Sequence, residues 1–166
     1  MNQPPRIIVV NEEDEIIGHK ERGSLERHDV YRVSSLWITN SIGQILLAQR
    51  KFTKKHDPGK WGPAVAGTLE EGETYASNII KEAEEELGLR DIQPTPRIKQ
   101  RISDDHEYFV QWYTLVLDRP ITSFTIAEDE IEQIRWFTRE ELTEDFFKHP
   151  ALHFKHTLTT ADALAE

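Results

Sequence analysis

Three glutamates near the middle of the chain have the residue type and spacing that could hold a metal ion. Glu82, Glu85 and Glu86 follow an i, i+3, i+4 pattern, which places their carboxylates close together on an α-helix. Like charges this close raise each other's pKa unless they share a cation. Carboxylate oxygens suit hard divalent ions, which favours Mg²⁺ or Mn²⁺. The alternative interpretation is a solvated acidic face.

The helix that must position these carboxylates is predicted over residues 74–87, with Gly88 as a natural stop. Projected at about 100° per residue, its apolar residues form a stripe that is expected to be buried: Tyr75, Ile79, Ile80, Ala83 and Leu87. Glu86 falls inside this stripe and Glu82 at its edge. An amphipathic surface helix has no reason to place a carboxylate there, so the position of Glu86 favours the metal interpretation.

A longer pattern surrounds these glutamates, from residue 67 to residue 89. It resembles the Nudix box, G-x5-E-x7-R-E-U-x-E-E-x-G-U, where U is a bulky aliphatic residue. Seven positions match at the correct spacing, which makes chance a poor explanation: Gly67, Glu73, Glu82, Glu85, Glu86, Gly88 and Leu89. Two positions depart from the pattern. Lys81 replaces the family's arginine and loses its planar fork, and Ala83 is a small occupant of the first U position.

The resemblance implies an α/β (α+β) fold in which helices sandwich a mixed β-sheet. It implies that Glu82, Glu85 and Glu86, with the backbone carbonyl of Gly67, hold Mg²⁺ or Mn²⁺. Glu73 would orient Lys81 and, through it, the ligand carboxylates. The implied reaction is metal-dependent attack of water on a diphosphate phosphorus, and Glu82 is one choice of base. A bound metal lowers the pKa of water and neutralises phosphoryl oxygens, so the chemistry is reasonable on its own terms.

A basic cluster precedes the box in an otherwise acidic chain, and Asp57 is its one acidic member: Arg50, Lys51, Lys54, Lys55 and Lys60. Arginine grips phosphate with two parallel hydrogen bonds, and lysine acts as a point charge. We therefore predict that Arg50, Lys54, Lys55 and Lys60 bind the substrate diphosphate. The alternative is a solvated loop.

The pattern of residues 50–61 is also similar to the Nudix branch that contains type-1 isopentenyl-diphosphate isomerase and its hydrolase relatives. An isomerase is therefore an alternative function. Its catalytic cysteine and histidine fall on Ala66 and Thr68, however, and one metal-binding histidine falls on Tyr31. Hydrolysis is the prediction for this reason. A second alternative is a non-catalytic Nudix module that binds a nucleotide-like ligand, against which the intact glutamates argue.

The remaining elements suggest a single domain over residues 1–166, with a hairpin extension at 1–30 and a C-terminal helical region at 139–166. One hairpin pairs residues 7–10 with 16–17, and a second pairs 33–39 with 45–49. Residues 50–63 are predicted as a loop. Residues 109–117 are apolar on both faces and predict a central strand, and residues 131–137 predict another. Thr138 and Glu141 form a capping box that opens the C-terminal region.

Composition narrows the choice of partners. The formal net charge of -10 opposes binding to a nucleic-acid polymer. No apolar run approaches the roughly 20 residues of a membrane helix, so no membrane partner is expected. The chain has no cysteine, which favours a cytoplasmic location. A small-molecule diphosphate is the expected partner, and Nudix proteins are often homodimers.

Weaker signals lie outside the box. Glu107, Glu128, Asp129 and Glu130 are candidates for a further acidic ligand or base, but each is more typical of a surface charge. Three histidines with helical spacing are interpreted as a solvated helix face rather than a metal site: His149, His153 and His156. Phe52 and Trp61 are predicted to form walls of the substrate pocket.

Overall fold

The computed structural model describes residues 3–165. Within them, nine strands form one sheet and three α-helices pack against it. In chain order the elements are β1 (Arg6–Val10), β2 (Ile16–Glu21), β3 (Val30–Thr39), β4 (Ile45–Arg50), β5 (Trp61–Pro63), β6 (Val65–Thr68), α1 (Tyr75–Leu87), β7 (Thr95–Ser103), β8 (Glu107–Val116), β9 (Ile131–Phe137), α2 (Arg139–Lys148) and α3 (Thr157–Ala163). No helix in this part of the chain is long and apolar enough to cross a bilayer.

Strand β3 organises the sheet. It pairs antiparallel with β1, β4 and β6, and parallel with β8, so the sheet is mixed. Strand β8 lies between β3 and β7, which confirms the predicted central strand. Both predicted hairpins are confirmed, because β1 pairs with β2 and β3 pairs with β4. The first hairpin joins the sheet through β1.

Helices cover both faces of the sheet, as the fold prediction requires. Leu36 and Ile38 of β3 pack in one cluster with Ile79 of α1. Trp37 points to the opposite face, since successive strand side chains alternate. It packs in a second cluster with Leu142 of α2 and with apolar residues of α3. The mixed α+β class is therefore confirmed.

The helix that carries the box begins and ends where its sequence predicts. The Thr74 hydroxyl accepts the Ser77 N–H, and the Ser77 hydroxyl accepts the Thr74 N–H, which closes a capping box. Gly88 ends the helix at φ 67°, a left-handed conformation that glycine adopts without steric cost. The capping box predicted at Thr138 is confirmed at the start of α2.

Two expectations about local structure were wrong, and two strands were not predicted. Residues 61–63 are strand β5 rather than loop, because they pair with β4 across the sheet. Strands β6 and β7 were missed, and most of β7 lacks buried residues that would produce a periodic signal. Ile80 is 42% exposed rather than part of the buried stripe, whereas Asn78 is fully buried there. The Ser34 hydroxyl donates a hydrogen bond to the Asn78 side chain. The helix therefore makes a polar contact with β3 at this position.

Candidate active site

The loop between β6 and α1 is held by the carboxylate of Glu73. This group accepts the Glu70 N–H at 2.7 Å and the Asn78 side-chain N–H at 3.2 Å. The Lys81 ammonium lies 2.7 Å from Glu73 and 3.6 Å from Glu82. Burial raises the pKa of Glu73, but hydrogen bonds, led by that from Lys81, outweigh it and hold the pKa below its ordinary value. Lys81 thus links the loop to the helix glutamates.

The side chain of Glu82 packs directly on the backbone of β6. A Cβ atom added to Gly67 would lie 2.7 Å from Glu82 Cδ and 2.9 Å from Oε1, so any other residue would force the Glu82 side chain to move. Glycine at position 67 therefore leaves room for the Glu82 side chain to lie against the Gly67 backbone. Burial raises the pKa of Glu82 against the opposing charge of Lys81.

Glu86 lies beside Glu82 with little to neutralise it. One carboxylate oxygen accepts the Ala66 N–H at 3.4 Å, and no lysine, arginine or histidine of the described residues lies within ion-pair distance. Burial raises the pKa of Glu86 well above its ordinary range, and the charge of Glu82 raises it further. The positive charge of Arg50 acts in the opposite direction.

The donor chemistry here fits a divalent metal. Glu82 and Glu86 offer hard oxygen ligands at a partly desolvated position, and a cation would relieve their mutual repulsion. Glu85 is exposed and lines the same cleft. Between residues 3 and 165, no three acidic or histidine side chains already converge as a metal site. The structure therefore brings Glu82 and Glu86 together, and Glu85 lies close enough for its charge to raise the pKa of Glu82.

These glutamates open into a large cleft of about 1360 Å³. One wall is the face of the sheet that also carries Trp37, and it contributes alternate residues of two paired strands: Tyr31, Val33 and Ser35 of β3, and Tyr108, Val110 and Trp112 of β8. The segment from residue 150 to residue 160 contributes a further part of the lining. The cleft therefore combines acidic groups with an aromatic and apolar surface.

The predicted basic residues also line this cleft, namely Arg50, Lys54, Lys55 and Lys60. The sequence suggested that Asp57 was the only acidic residue beside these cations, but the structure places Glu130 beside them as well. Lys54 lies 2.8 Å from Glu130, and Lys60 lies 3.0 Å from Asp57. Arg50 uses its Nε to hydrogen-bond the His56 carbonyl. Lys55 makes no ion pair with a described residue. Glu130 escaped notice as a partner because it is 76 positions from Lys54 in the sequence.

The weaker expectations about other residues of the cleft have different outcomes. Asp129 and Glu130 line the cleft, whereas Glu107 binds Arg101 on the neighbouring strand. Phe52 and Trp61 are absent from the lining, since Trp61 is buried against Phe137 with ring centroids 5.2 Å apart. The pocket-wall prediction for Phe52 and Trp61 was therefore wrong.

The prediction of a solvated helix face formed by three histidines was wrong, although two of them are exposed. His149, His153 and His156 do not share one helix, because α2 ends at Lys148 and α3 begins at Thr157. The side chain of His153 is fully buried rather than solvated. Nothing in a helical spacing distinguishes it from its exposed neighbours, since its burial depends on contacts with other elements.

A family model described as the NUDIX domain matches residues 30–158. The chain belongs to the Nudix family. It is 37% identical over 137 residues to the uncharacterised Nudix hydrolase PA4841 of Pseudomonas aeruginosa, which covers 80% of this chain and 78% of that protein. It is 29% identical over 136 residues to the uncharacterised Nudix hydrolase YfcD of Escherichia coli, which covers 81% of this chain and 74% of that protein. These relatives identify the chain as a Nudix hydrolase.

Solved structures share its fold. DR0079 from Deinococcus radiodurans superposes with a TM-score of 0.79 at 24% identity, over 95% of this chain and 97% of that one. A C. elegans Ap4A hydrolase superposes with a TM-score of 0.60 at 15% identity, over 81% of this chain and 95% of that one. Nudix hydrolases generally act on small molecules with divalent metal ions.

Proposed function

We propose that this Nudix hydrolase cleaves the diphosphate linkage of a small organic diphosphate, of nucleoside or prenyl type, with Mg²⁺ or Mn²⁺. The observation that carries the proposal is the placement of Glu86. Its carboxylate lies beside Glu82 on the Ala66–Gly67 backbone and has no cationic partner within ion-pair distance among the described residues. It also lines a cleft that has basic residues around it.

In this proposal Glu82, Glu85 and Glu86 hold the metal together with the backbone carbonyl of Gly67. The metal supplies charge neutralisation at the phosphoryl oxygens and an acidified water. Glu73 holds Lys81, and Lys81 in turn orients Glu82, to which its ammonium is 3.6 Å away. Glu82 accepts the proton of the attacking water, because it lines the cleft and burial raises the pKa of its carboxylate above the ordinary value.

The diphosphate is held by the cleft-facing cations. Arg50 and Lys55 are available at once, since neither forms an ion pair with a described acidic residue. Lys54 and Lys60 must exchange Glu130 and Asp57 for phosphate oxygens. Arg50 is therefore expected to contribute most, because its guanidinium can grip a phosphate with two hydrogen bonds.

The alternatives are weaker. Isomerisation of a prenyl diphosphate needs groups that protonate and deprotonate an alkene, but Tyr31, Ala66 and Thr68 occupy the corresponding cleft positions. A non-catalytic ligand-binding module would not require the close approach of Glu82 to Gly67. We also propose a cytoplasmic location and a homodimer, and light scattering coupled to gel filtration tests the latter.

The decisive experiment measures product release from nucleoside diphosphates, nucleotide sugars, dinucleotides and prenyl diphosphates, with Mg²⁺, with Mn²⁺ and with chelator. Glu86→Gln keeps the size of the side chain and should lower kcat roughly a hundredfold or more. Glu84→Gln is the matched control, since Glu84 lies on the same helix, is exposed and does not line the cleft. Full activity in Glu86→Gln would refute the assignment of the metal site.

A further inference from the structure

Asn78 places a side-chain amide in the fully buried face of helix α1. Its Oδ1 accepts a hydrogen bond from the hydroxyl of Ser34 on β3, which is also fully buried. Its Nδ2 donates to the Thr68 carbonyl at 3.3 Å and to the Glu73 carboxylate at 3.2 Å. Because an amide oxygen only accepts and an amide nitrogen only donates, these three contacts allow one orientation of the side chain.

Packing of the helix does not by itself require an amide at this position. The other fully buried residues of α1 are apolar, namely Ile79, Ala83 and Leu87. A buried amide costs free energy unless it is hydrogen-bonded, and apolar groups of the same shape can replace a buried hydrogen-bonded pair at little cost in stability. The amide of Asn78 therefore points to a requirement of the groups to which it donates.

The first of these groups is Glu73, which is connected to the proposed metal ligands. The Glu73 carboxylate lies 2.7 Å from the Lys81 ammonium, and the same ammonium lies 3.6 Å from Glu82. Asn78 thus holds the carboxylate that holds Lys81. A shift of Glu73 would move Lys81 and, with it, Glu82.

The second group is the backbone of β6. Thr68, whose carbonyl receives the other N–H of Asn78, directly follows Gly67, whose carbonyl is a proposed metal ligand. Ser34 is the strand partner of Gly67 in the β3–β6 pairing. Neither Asn78 nor Ser34 lines the cleft, so both act through other residues.

We infer that Asn78, oriented by Ser34, is a positioning residue that fixes Glu73 and the Gly67–Thr68 backbone and thereby sets the affinity of the site for Mg²⁺ or Mn²⁺. The inference rests on the proposed function, because the groups that it positions are those of the proposed metal site. Residues that hold metal ligands in place typically contribute 10- to 100-fold to metal affinity or activity.

The test replaces the hydrogen-bonded pair with apolar groups, by Ser34→Ala combined with Asn78→Leu. The Kd of the metal-free protein for Mn²⁺, measured by isothermal titration calorimetry, should rise about tenfold. The kcat for an organic diphosphate should fall by a similar factor at a fixed Mn²⁺ concentration near the wild-type Kd. The KM for the diphosphate should stay unchanged, because the cations of the cleft lie on other elements. The melting temperature in chelator should change little.

Two further variants separate positioning from stability. Ile79→Val shortens the fully buried neighbour of Asn78, so it should lower the melting temperature and leave the Kd for Mn²⁺ unchanged. Ser34→Ala alone removes only the hydroxyl that orients the amide, and it should raise this Kd about threefold. It is the milder variant, used for the same measurement where the double variant does not fold.

Coupling to Glu73 gives a readout that a merely structural role would not change. In a protein that already carries Glu73→Gln, the substitutions at Ser34 and Asn78 should raise the Kd for Mn²⁺ by a smaller factor than in the wild type. The reason is that residues of one hydrogen-bonded network have non-additive effects. Equal factors in the two backgrounds would contradict action through Glu73.

Other results would overturn the inference as well. One is an unchanged Kd for Mn²⁺ in the folded double variant or, where that variant does not fold, in Ser34→Ala. Another is an equal rise in Ile79→Val, which would assign the effect to the stability of α1. Metal-dependent turnover by the wild type keeps the proposed function intact in each of these cases. Wild-type protein that neither binds Mn²⁺ nor hydrolyses a diphosphate would refute the proposed function and this inference together.

Discussion

Two carboxylates at opposite ends of helix α1 have opposite environments. Asp14, near the start of α1, has a side chain only 7% exposed that receives hydrogen bonds from Arg32 at 2.7 Å, Lys99 at 2.7 Å and the Tyr75 hydroxyl at 2.9 Å. Glu86, near the end of α1, accepts one backbone N–H at 3.4 Å. A carboxylate with several donors stabilises the fold, whereas one with a single weak donor keeps its charge available for a ligand.

The pKa values of the two groups differ in the same way. Burial raises the pKa of Asp14, but the hydrogen bonds from Lys99, Arg32 and Tyr75 outweigh it and hold the pKa below its ordinary value. Burial raises the pKa of Glu86, and the charge of Glu82 adds to this effect. Asp14 is therefore a structural carboxylate, which anchors the N-terminal hairpin to β3 and β7. The carboxylates of the proposed metal site lie at the other end of the same helix.

The largest expected effect on stability tests the structural end of this comparison. Asp14→Ala removes the common partner of Arg32, Lys99 and Tyr75 and should lower the free energy of unfolding by about 3 kcal/mol. Urea denaturation at pH 7 measures it. Glu13→Gln changes an exposed residue of the same turn and should have little effect. Equal stabilities for Asp14→Ala and Glu13→Gln would mean that the network is not structural.

The same network predicts a pH dependence. Because the pKa of Asp14 is lower in the folded protein than its unfolded value of 3.8, its contribution is present above the unfolded pKa and is lost as the pH falls through the folded one. The stability difference between wild type and Asp14→Ala should be constant from pH 7 to about pH 5 and should shrink in more acidic solution. A difference that grew on acidification would contradict the assigned direction.

Glu86→Gln tests the other end of the helix, where the expected change in the free energy of unfolding has the opposite sign. It removes an unneutralised charge and should raise the stability of the metal-free protein by about 1 kcal/mol. It should also abolish the stabilisation that Mg²⁺ or Mn²⁺ gives the wild type. Thermal unfolding with chelator and with metal measures both changes. A loss of stability in chelator comparable to that of Asp14→Ala would show that Glu86, too, is structural.

A smaller effect distinguishes a cation of the cleft without an ion pair from one that has an acidic partner. Arg50→Ala should raise KM for an organic diphosphate about tenfold, because its guanidinium lines the cleft and forms no ion pair with a described acidic residue. Lys54→Ala should raise it less, since Lys54 already lies 2.8 Å from Glu130. Far-ultraviolet circular dichroism should stay unchanged in both. A larger effect for Lys54→Ala would mean that substrate displaces Glu130 at little cost.

The smallest expected effect concerns the departure from the family motif. In Lys81→Arg a planar guanidinium can contact Glu73 and Glu82 at the same time, whereas the ammonium lies 2.7 Å from one and 3.6 Å from the other. We expect kcat to rise about threefold with unchanged metal affinity, measured by steady-state kinetics over a metal titration. A lower kcat would show that the site is adapted to lysine.

Local sequence determined a good deal of this protein. The boundaries of α1 follow from Thr74 and Gly88, since caps act within one turn of a helix. The position of Glu86 in the buried stripe follows from helical periodicity. Each of these depends on residues that are neighbours along the chain or along one helix, so their physical consequences are visible before folding.

Contacts between distant elements were decided only by the tertiary structure. The pairing of Lys54 with Glu130, and the contacts that bury His153, join residues whose sequence context carries no sign of them. Strand β7 forms because it pairs with β8, although most of its own residues are exposed. Sequence periodicity records which face of an element is buried, but not which element covers it. The amino-acid sequence alone therefore indicated the class of reaction. The tertiary structure determined which polar groups are available to bind a substrate.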